Sequence, residues 1–335
     1  MKALVFEAPS RLAIHDRPDP TVGAGEVLVA VRAAGICGSD VHGYVGASGR
    51  RRPGIVMGHE AAGEVVAAGE GVSAFRAGDR VALRSVLACG ACEACRAGRR
   101  NLCHRRRGLG MDLDGAYADA VSVPEALAVS LPSSLSYEEG ALVEPLAVAL
   151  HAVDLTPMPT GADVAIVGAG AIGLLTLLAA RLAGAGTIRI TDRSRHRLEV
   201  ASSLGADETV LVPSAAGGDA DERRADVVFE AVGSSDSARQ SLAMVRPGGD
   251  VTWIGNAAPT VEIGMQDVVT REVTLRGSYA YDREFDLAVA ALAAGRIDVR
   301  PLIERIAPLE SGPAVFADLA AGRLDAAKVI LVPGT

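Results

Sequence analysis

Four cysteines crowd into one stretch, Cys89-Gly-Ala-Cys92-Glu-Ala-Cys95, with Cys103 close behind. Thiolates this near in sequence can surround one tetrahedral zinc ion, and a site filled by four cysteines leaves no position for a substrate. The chemistry expected is therefore structural, a metal that pins the 88–103 loop. A redox thiol cluster is the rival reading, but no thioredoxin-like βαβ context surrounds these residues. The fifth cysteine, Cys37, stands in Cys37-Gly-Ser39-Asp40-Val-His42, and Gly58-His59-Glu60 follows further on. Taken singly, Cys37 and His59 read as packed core residues.

A different chemistry is written in Gly168-Ala-Gly170-Ala171-Ile172-Gly173, which directly follows the apolar run Val164-Ala-Ile-Val167. After a strand and before a helix, Gly168 permits a tight turn, Gly170 lets the backbone approach a pyrophosphate and Gly173 allows close helix packing. The helix N-terminus attracts the phosphates. Asp192, at the end of the next strand, is placed to accept both ribose hydroxyls and to repel a 2′-phosphate, which favours NAD. Its neighbour Arg193 pulls toward NADP, because a guanidinium pairs with a phosphate. Ala171, Ile172, Arg193, Arg197 and Val232 complete the candidate cofactor set.

The elements that must carry these groups come in two styles. Residues 1–130 read as short strands between Gly, Pro and Asp, such as Glu26 to Ala33, Gly63 to Ala67 and Arg80 to Leu83. From Asp163 strands alternate with helices: Val164 to Val167, a helix to about Leu182, Ile188 to Thr191, a helix Ser194 to Leu204, then Asp226 to Glu230, Val251 to Gly255 and Val273 to Gly277, with a helix over Ser235 to Val245. That alternation predicts an α/β fold, a doubly wound parallel sheet of the Rossmann type covered by helices. The tail offers a helix near Phe285 to Ala294 and a closing strand, Val329 to Val332, and is expected to return to the first domain.

The chain has 335 residues, and at roughly 150 residues per domain it should form two domains. Lys and Arg number 33 against 41 Asp and Glu, a net charge of -8 that argues against nucleic acid as partner. Arg96, Arg99, Arg100 and Arg105 to Arg107 cluster around Cys103 and would suit a zinc-ribbon nucleic-acid module, but a solvated loop face is the favoured reading. The run Val164 to Ala180 nears the length of a membrane span, yet its glycines fit a strand, turn and helix better, so no membrane partner is expected. With no secretory signal in MKALVFEAPS and an odd cysteine count, the expected compartment is the cytoplasm.

Gly58-His-Glu-Ala-Ala-Gly63 with Gly69 and Val72, the CGSDVH run, the CGxCxxCxxG loop ending in Asn101-Leu-Cys103, and Gly78-Asp-Arg-Val81 together resemble landmarks of the zinc-containing alcohol dehydrogenases. With DVVFEAVG at 226–233 and RPGG at 246–249, the resemblance to the medium-chain dehydrogenase/reductase superfamily runs nearly end to end, on its sorbitol, threonine and butanediol dehydrogenase branch. It implies a GroES-like catalytic domain from residues 1–150 and 284–335, and a Rossmann NAD-binding domain over 151–283. It also implies that Cys37 and His59 ligate a catalytic zinc, with Glu60 and Glu144 as candidate carboxylate ligands, so that two zinc ions are expected per chain. One thiolate and one carboxylate leave such a site neutral, so only one glutamate is expected on the metal at a time, the other bonding water or substrate.

The resemblance further implies that the catalytic domain oxidises a secondary alcohol (a diol, polyol or cyclic alcohol), or reduces the ketone. A bound zinc lowers the pKa of its water to about 7, and a coordinated alcohol shifts the same way. Ser39 is expected to take the alcohol proton and pass it, through the cofactor ribose, to His42 and solvent. Asp40 either orients His59 through its free ring N–H or simply forms a turn. Sorbitol dehydrogenases carry an arginine for polyol hydroxyls where Ala280 aligns here, so short diols or cyclic alcohols are expected over sorbitol, with Tyr44 and Tyr279 lining the pocket. The family habit is a homodimer or homotetramer. A zinc-independent quinone or enoyl reductase, and a non-catalytic NAD-binding protein, are the alternatives.

Overall fold

A computed structural model of the chain describes residues 1–212 and 224–334. The chain falls into two compact units, one built from Met1–Glu144, Phe285–Gly295 and Ile303–Thr335, the other from Pro145–Glu284 and Arg296–Leu302.

The first unit begins with β1 (Lys2–Ala8), β2 (Arg11–Asp16), β3 (Glu26–Gly35), β4 (Glu60–Ala68) and β5 (Arg80–Leu83). The short β6 (Val86–Leu87) and β7 (Arg107–Gly108) flank the cysteine loop, and β8 (Ala120–Pro124) and β9 (Ala128–Ser130) follow. Along β3 the buried Val27, Val29 and Val31 alternate with half-buried residues, the period of two that turns one face to a core. That core gathers Leu4, Phe6, Val29, Met57, Tyr117 and Phe316.

In the second unit β10 (Val164–Val167), β11 (Ile188–Asp192), β12 (Glu208–Leu211), β13 (Ala225–Glu230), β14 (Val245–Trp253) and β15 (Thr274–Gly277) form one parallel sheet in the order β12-β11-β10-β13-β14-β15. All four residues of β10 are buried, as in a strand covered on both faces. The strand order reverses between β10 and β13, and the crevice beyond their carboxyl ends is where such sheets bind ligands. Serine side chains start two of the covering helices. Ser194 Oγ accepts from Arg197 N at 3.1 Å ahead of Arg195–Ser203, and Ser234 and Ser237 cap Ser235–Met244 reciprocally.

Two local expectations change. The edge strand β12, with its side chains half-buried and exposed in turn, gave too short a pattern to be foreseen. β14 starts at Val245 rather than Val251: Val245 pairs with Ala225 and Asp250 with Val227, so Arg246–Gly249 bulge from within the strand.

After the second unit the chain forms β16 (Ile303–Pro308) and β17 (Lys328–Val332), which complete the first unit's sheet in the order β16-β17-β3-β4-β5-β9, with β8 also on β3. β17 is thus an interior strand, parallel to β16 and antiparallel to β3. Among the described residues no helix is long and apolar enough to cross a membrane.

Candidate active site

The pairing of β3 with β4 sets Gly35 opposite Glu60. Cys37, two residues past Gly35 and ahead of the helix Gly38–Tyr44, therefore arrives beside His59 and Glu60. One ligand atom from each of the three lies within 4.8 Å of the others. Zinc bonds of 2.0–2.3 Å arranged tetrahedrally put donors roughly 3.3–3.8 Å apart, so small side-chain rotations would close this group on a metal. Glu144, in the first turn of the helix Val143–Asp154, lies outside the group. Its Oε1 accepts from Ser85 Oγ at 2.6 Å, and burial pushes its carboxyl up to about 6.

Behind His59 is a second layer that the sequence only partly announced. Asp40 is fully buried; Arg51 donates to its Oδ1 at 2.8 Å, and the Tyr117 hydroxyl lies 2.8 Å from its Oδ2 and 2.9 Å from Gly35 O. His59 Nδ1 faces the same Oδ2 at 3.4 Å, longer than a well-formed hydrogen bond. Burial opposes the charge on Asp40, but the His59 ring and the Arg51 guanidinium hold its carboxyl well below the usual carboxylate range. Burial likewise works against a charged His59, yet Asp40 and then Cys37 raise it far above its ordinary value. A metal taken up by His59 must displace that proton. Asp40 thus stands behind His59 as the orienting reading requires, with His59 Nδ1 still short of a well-formed hydrogen bond to it.

Lys328, Arg51 and Tyr117 went unrecognised from sequence. Lys328 Nζ donates to Glu60 Oε1 at 2.9 Å and Oε2 at 2.6 Å, and to Ile36 O at 3.1 Å. Its one signal is a charge at the head of an apolar strand, Lys328-Val-Ile-Leu-Val332. The charge balance drawn for the zinc site, one thiolate and one carboxylate, did not include this cation.

The four remaining cysteines meet as expected, each offering a sulfur within 4.8 Å of the rest. Cys92 and Cys95 sulfurs are 3.4 Å apart and Cys89 and Cys95 sulfurs 3.9 Å, spanning the roughly 3.8 Å edge of a Zn–S tetrahedron. Backbone N–H groups of Ala91 and Cys92 bring the Cys89 thiol down to about 5. Burial and the neighbouring sulfurs push Cys95 up to about 12, so metal binding must release its proton.

In the second unit Gly168 adopts φ 98°, and a Cβ there would meet Val232 Cγ2 at 2.5 Å. A Cβ on Gly173 would sit 1.8 Å from Gly168 O, so the helix can approach the turn only without one. Gly170 opens onto space, with only Arg197 Nη1 within reach at 3.7 Å of a Cβ placed there. The helix Ala171–Leu182, which begins with Ala171 and Ile172, has no side-chain cap, which leaves its first N–H groups facing the turn for an anion. Asp192 is held by Ala169 N at 2.6 Å and Ser194 N at 2.8 Å. Arg193 is exposed and reaches toward Asp236, at 3.5 Å. Val232 follows β13, with Glu230 Oε1 accepting from its N–H at 2.8 Å. These residues fit a dinucleotide pyrophosphate and ribose.

Ser39 and His42 share one face of the helix Gly38–Tyr44, three residues apart, and Ser39 Oγ donates to Cys37 Sγ at 3.3 Å. Tyr44 is packed in the first unit's core. It is buried, its hydroxyl donates to Ser10 O at 3.0 Å and its ring packs 5.6 Å from Phe316. Tyr279 is partly exposed, and Ala280 beside it stands at φ 51°.

Comparison with known proteins matches residues 23–133 to the alcohol dehydrogenase GroES-like domain and residues 171–294 to the zinc-binding dehydrogenase model. A sorbitol dehydrogenase of Bacillus subtilis is 35% identical over 90% of this chain and 89% of its own length. An L-threonine 3-dehydrogenase of Streptomyces coelicolor is 37% identical over 99% of both. Among solved structures, a zinc-binding dehydrogenase of Sinorhizobium meliloti bound to NADP shares 35% identity and a TM-score of 0.92 over 99% of each chain.

Proposed function

The chain belongs to the zinc-binding dehydrogenase family, and from that premise we propose that it passes a hydride between a secondary alcohol and NAD, using Cys37, His59 and one of Glu60 or Glu144 as ligands of a catalytic zinc. That it is an alcohol or polyol dehydrogenase follows from the family and its relatives. The observation that carries the residue assignment is the convergence of Cys37, His59 and Glu60 within 4.8 Å. A zinc-independent reductase has no use for such a group.

Zinc in that site would acidify a coordinated alcohol, and the dinucleotide would accept its hydride. The chain's own residues do the rest. Asp40, fixed by Arg51 and Tyr117, orients His59. Ser39 Oγ, turning from Cys37 Sγ, takes the alcohol proton, and His42 one helical turn away hands it to solvent. Burial around Glu144 raises its carboxyl to about 6 at the site's edge, where it can bind metal or accept a hydrogen bond.

NAD is favoured over NADP because the Asp192 carboxylate, at the end of β11, would accept the ribose hydroxyls and repel a 2′-phosphate. The four-cysteine loop suits a second, structural zinc, and unbridged cysteines suit a reducing compartment such as the cytoplasm. Met265 and Val269, 78% and 64% exposed on one short helix, support a homodimer or homotetramer. Without an arginine at Ala280, short diols or cyclic alcohols are the substrates we favour. The test is nicotinamide absorbance with NAD or NADP over a panel of diols, polyols, amino alcohols and cyclic alcohols, beside the zinc content. Turnover with NAD and two zinc ions per chain is expected; binding of NAD without turnover of any alcohol would leave a non-catalytic binder.

A further inference from the structure

Lys328 is 2% exposed, in an interior strand, and its partner Glu60 is fully buried. An ammonium has three N–H donors, and here they go to Glu60 Oε1, Glu60 Oε2 and Ile36 O. The lysine thus embraces both oxygens of the carboxylate that the ligand group offers to a metal. The edge between the two Glu60 oxygens is taken by the lysine, and what the carboxylate would offer a metal is an outward lone pair, with its charge already shared with a cation. Burying a lysine is costly unless it is paired, so its place here calls for a role at the site.

Charge balance points the same way. A doubly charged metal beside the Cys37 thiolate and two ionised glutamates leaves one negative charge in excess, and Lys328 cancels it. Resting on the ligand assignment above, we propose that Lys328 is a positioning residue that keeps Glu60 a weak, exchangeable ligand, so that the fourth position on the metal opens to the alcohol. A site with a free Glu60 would bind its metal more tightly and its substrate less well.

The test replaces zinc with cobalt in the whole protein and titrates neutral imidazole, which ligates an open position, while following the visible absorption bands. A Cys37→Ala control supplies the signal of the four-cysteine site. Lys328→Met is expected to weaken imidazole binding about tenfold or more and to slow metal release to a chelator by a similar factor, the scale on which residues behind the ligands act. Lys328→Arg should behave as the parent. Should Lys328→Met fail to fold, the Lys328→Met/Glu60→Gln pair removes both buried charges, and parental imidazole affinity is expected. Unchanged imidazole binding in Lys328→Met, faster metal release, or weak binding that persists in the double variant would overturn the role of Lys328. Full cobalt retention by Cys37→Ala would instead overturn the ligand assignment.

Discussion

Tyr117→Phe removes one oxygen from a place where its effect can be followed outward. The ring is fully buried, packs edge-on to Phe316 at 5.8 Å, and lies so near Gly58 that a Cβ there would come within 2.7 Å of its Cδ1. It has no room to move when the hydroxyl goes. That hydroxyl has one proton to share between Asp40 Oδ2 at 2.8 Å and Gly35 O at 2.9 Å. A hydrogen bond to a charged group contributes about 1.5–3 kcal/mol, and Arg51 still holds the other Asp40 oxygen, so a loss of about 2 kcal/mol in unfolding free energy is expected. Asp40 also faces His59, and loosening it should weaken zinc at the Cys37 site about ten- to hundredfold. The four-cysteine site shares none of these residues and should not change. Urea unfolding of chelator-treated protein gives the first quantity, and competition with a colorimetric chelator gives the second for each class of site. Full zinc affinity at the Cys37 site, or an equal loss at both sites, would refute the chain of contacts from Tyr117 to the metal.

Gly173→Ala forces a Cβ to 1.8 Å from a backbone oxygen that cannot swing aside, and should cost about 1–3 kcal/mol of stability or more and weaken NADH binding in a fluorescence titration. Wild-type NADH affinity in that variant would mean the helix need not approach the turn. Asp192→Ala should raise the KM for NAD and narrow the preference over NADP; a wild-type kcat/KM higher with NADP would transfer the discrimination to Arg193. Burial opposes the charge of Glu284, but His151 and the Asp282 amide lower its pKa from the ordinary 4.5 to about 2. A lowered carboxyl pKa stabilises the fold above about pH 4.5 and loses that effect as the pH falls toward 2. The Tm gap between wild type and Glu284→Gln, followed by calorimetry, should therefore shrink across that window, and a gap constant with pH would count against the pair.

What was legible in the sequence was what depends on local pattern. The Gly168-to-Gly173 turn, the buried strand before it and Asp192 after the next strand declare themselves by order alone, and the four cysteines by spacing. Cys37, His59 and Glu60 were nameable because a family pattern carries them. Residues that act through distant pairing were not. Lys328 reaches Glu60 only because β17 inserts beside β3, and nothing local to either residue reports that. Tyr117 and Arg51 look like a core aromatic and a surface cation until Asp40 is seen between them. Tyr44 was misjudged for the converse reason, since its hydroxyl is spent on Ser10 O and its ring on Phe316.

The interior place of β17 bears on the order in which the protein can be made. Glu60 leaves the ribosome 268 residues ahead of the lysine that neutralises it. At about 5–20 residues per second, that is a wait of roughly a quarter of a minute to a minute. The second unit is translated in the interval, and its sheet is drawn wholly from its own segment. The first unit's sheet meanwhile has a gap beside β3, an open edge and an uncompensated carboxylate. The inserted unit can fold during synthesis, whereas the first unit becomes complete only as translation reaches β17, and a nascent chain stalled before Lys328 would present a finished parallel sheet joined to an unclosed one.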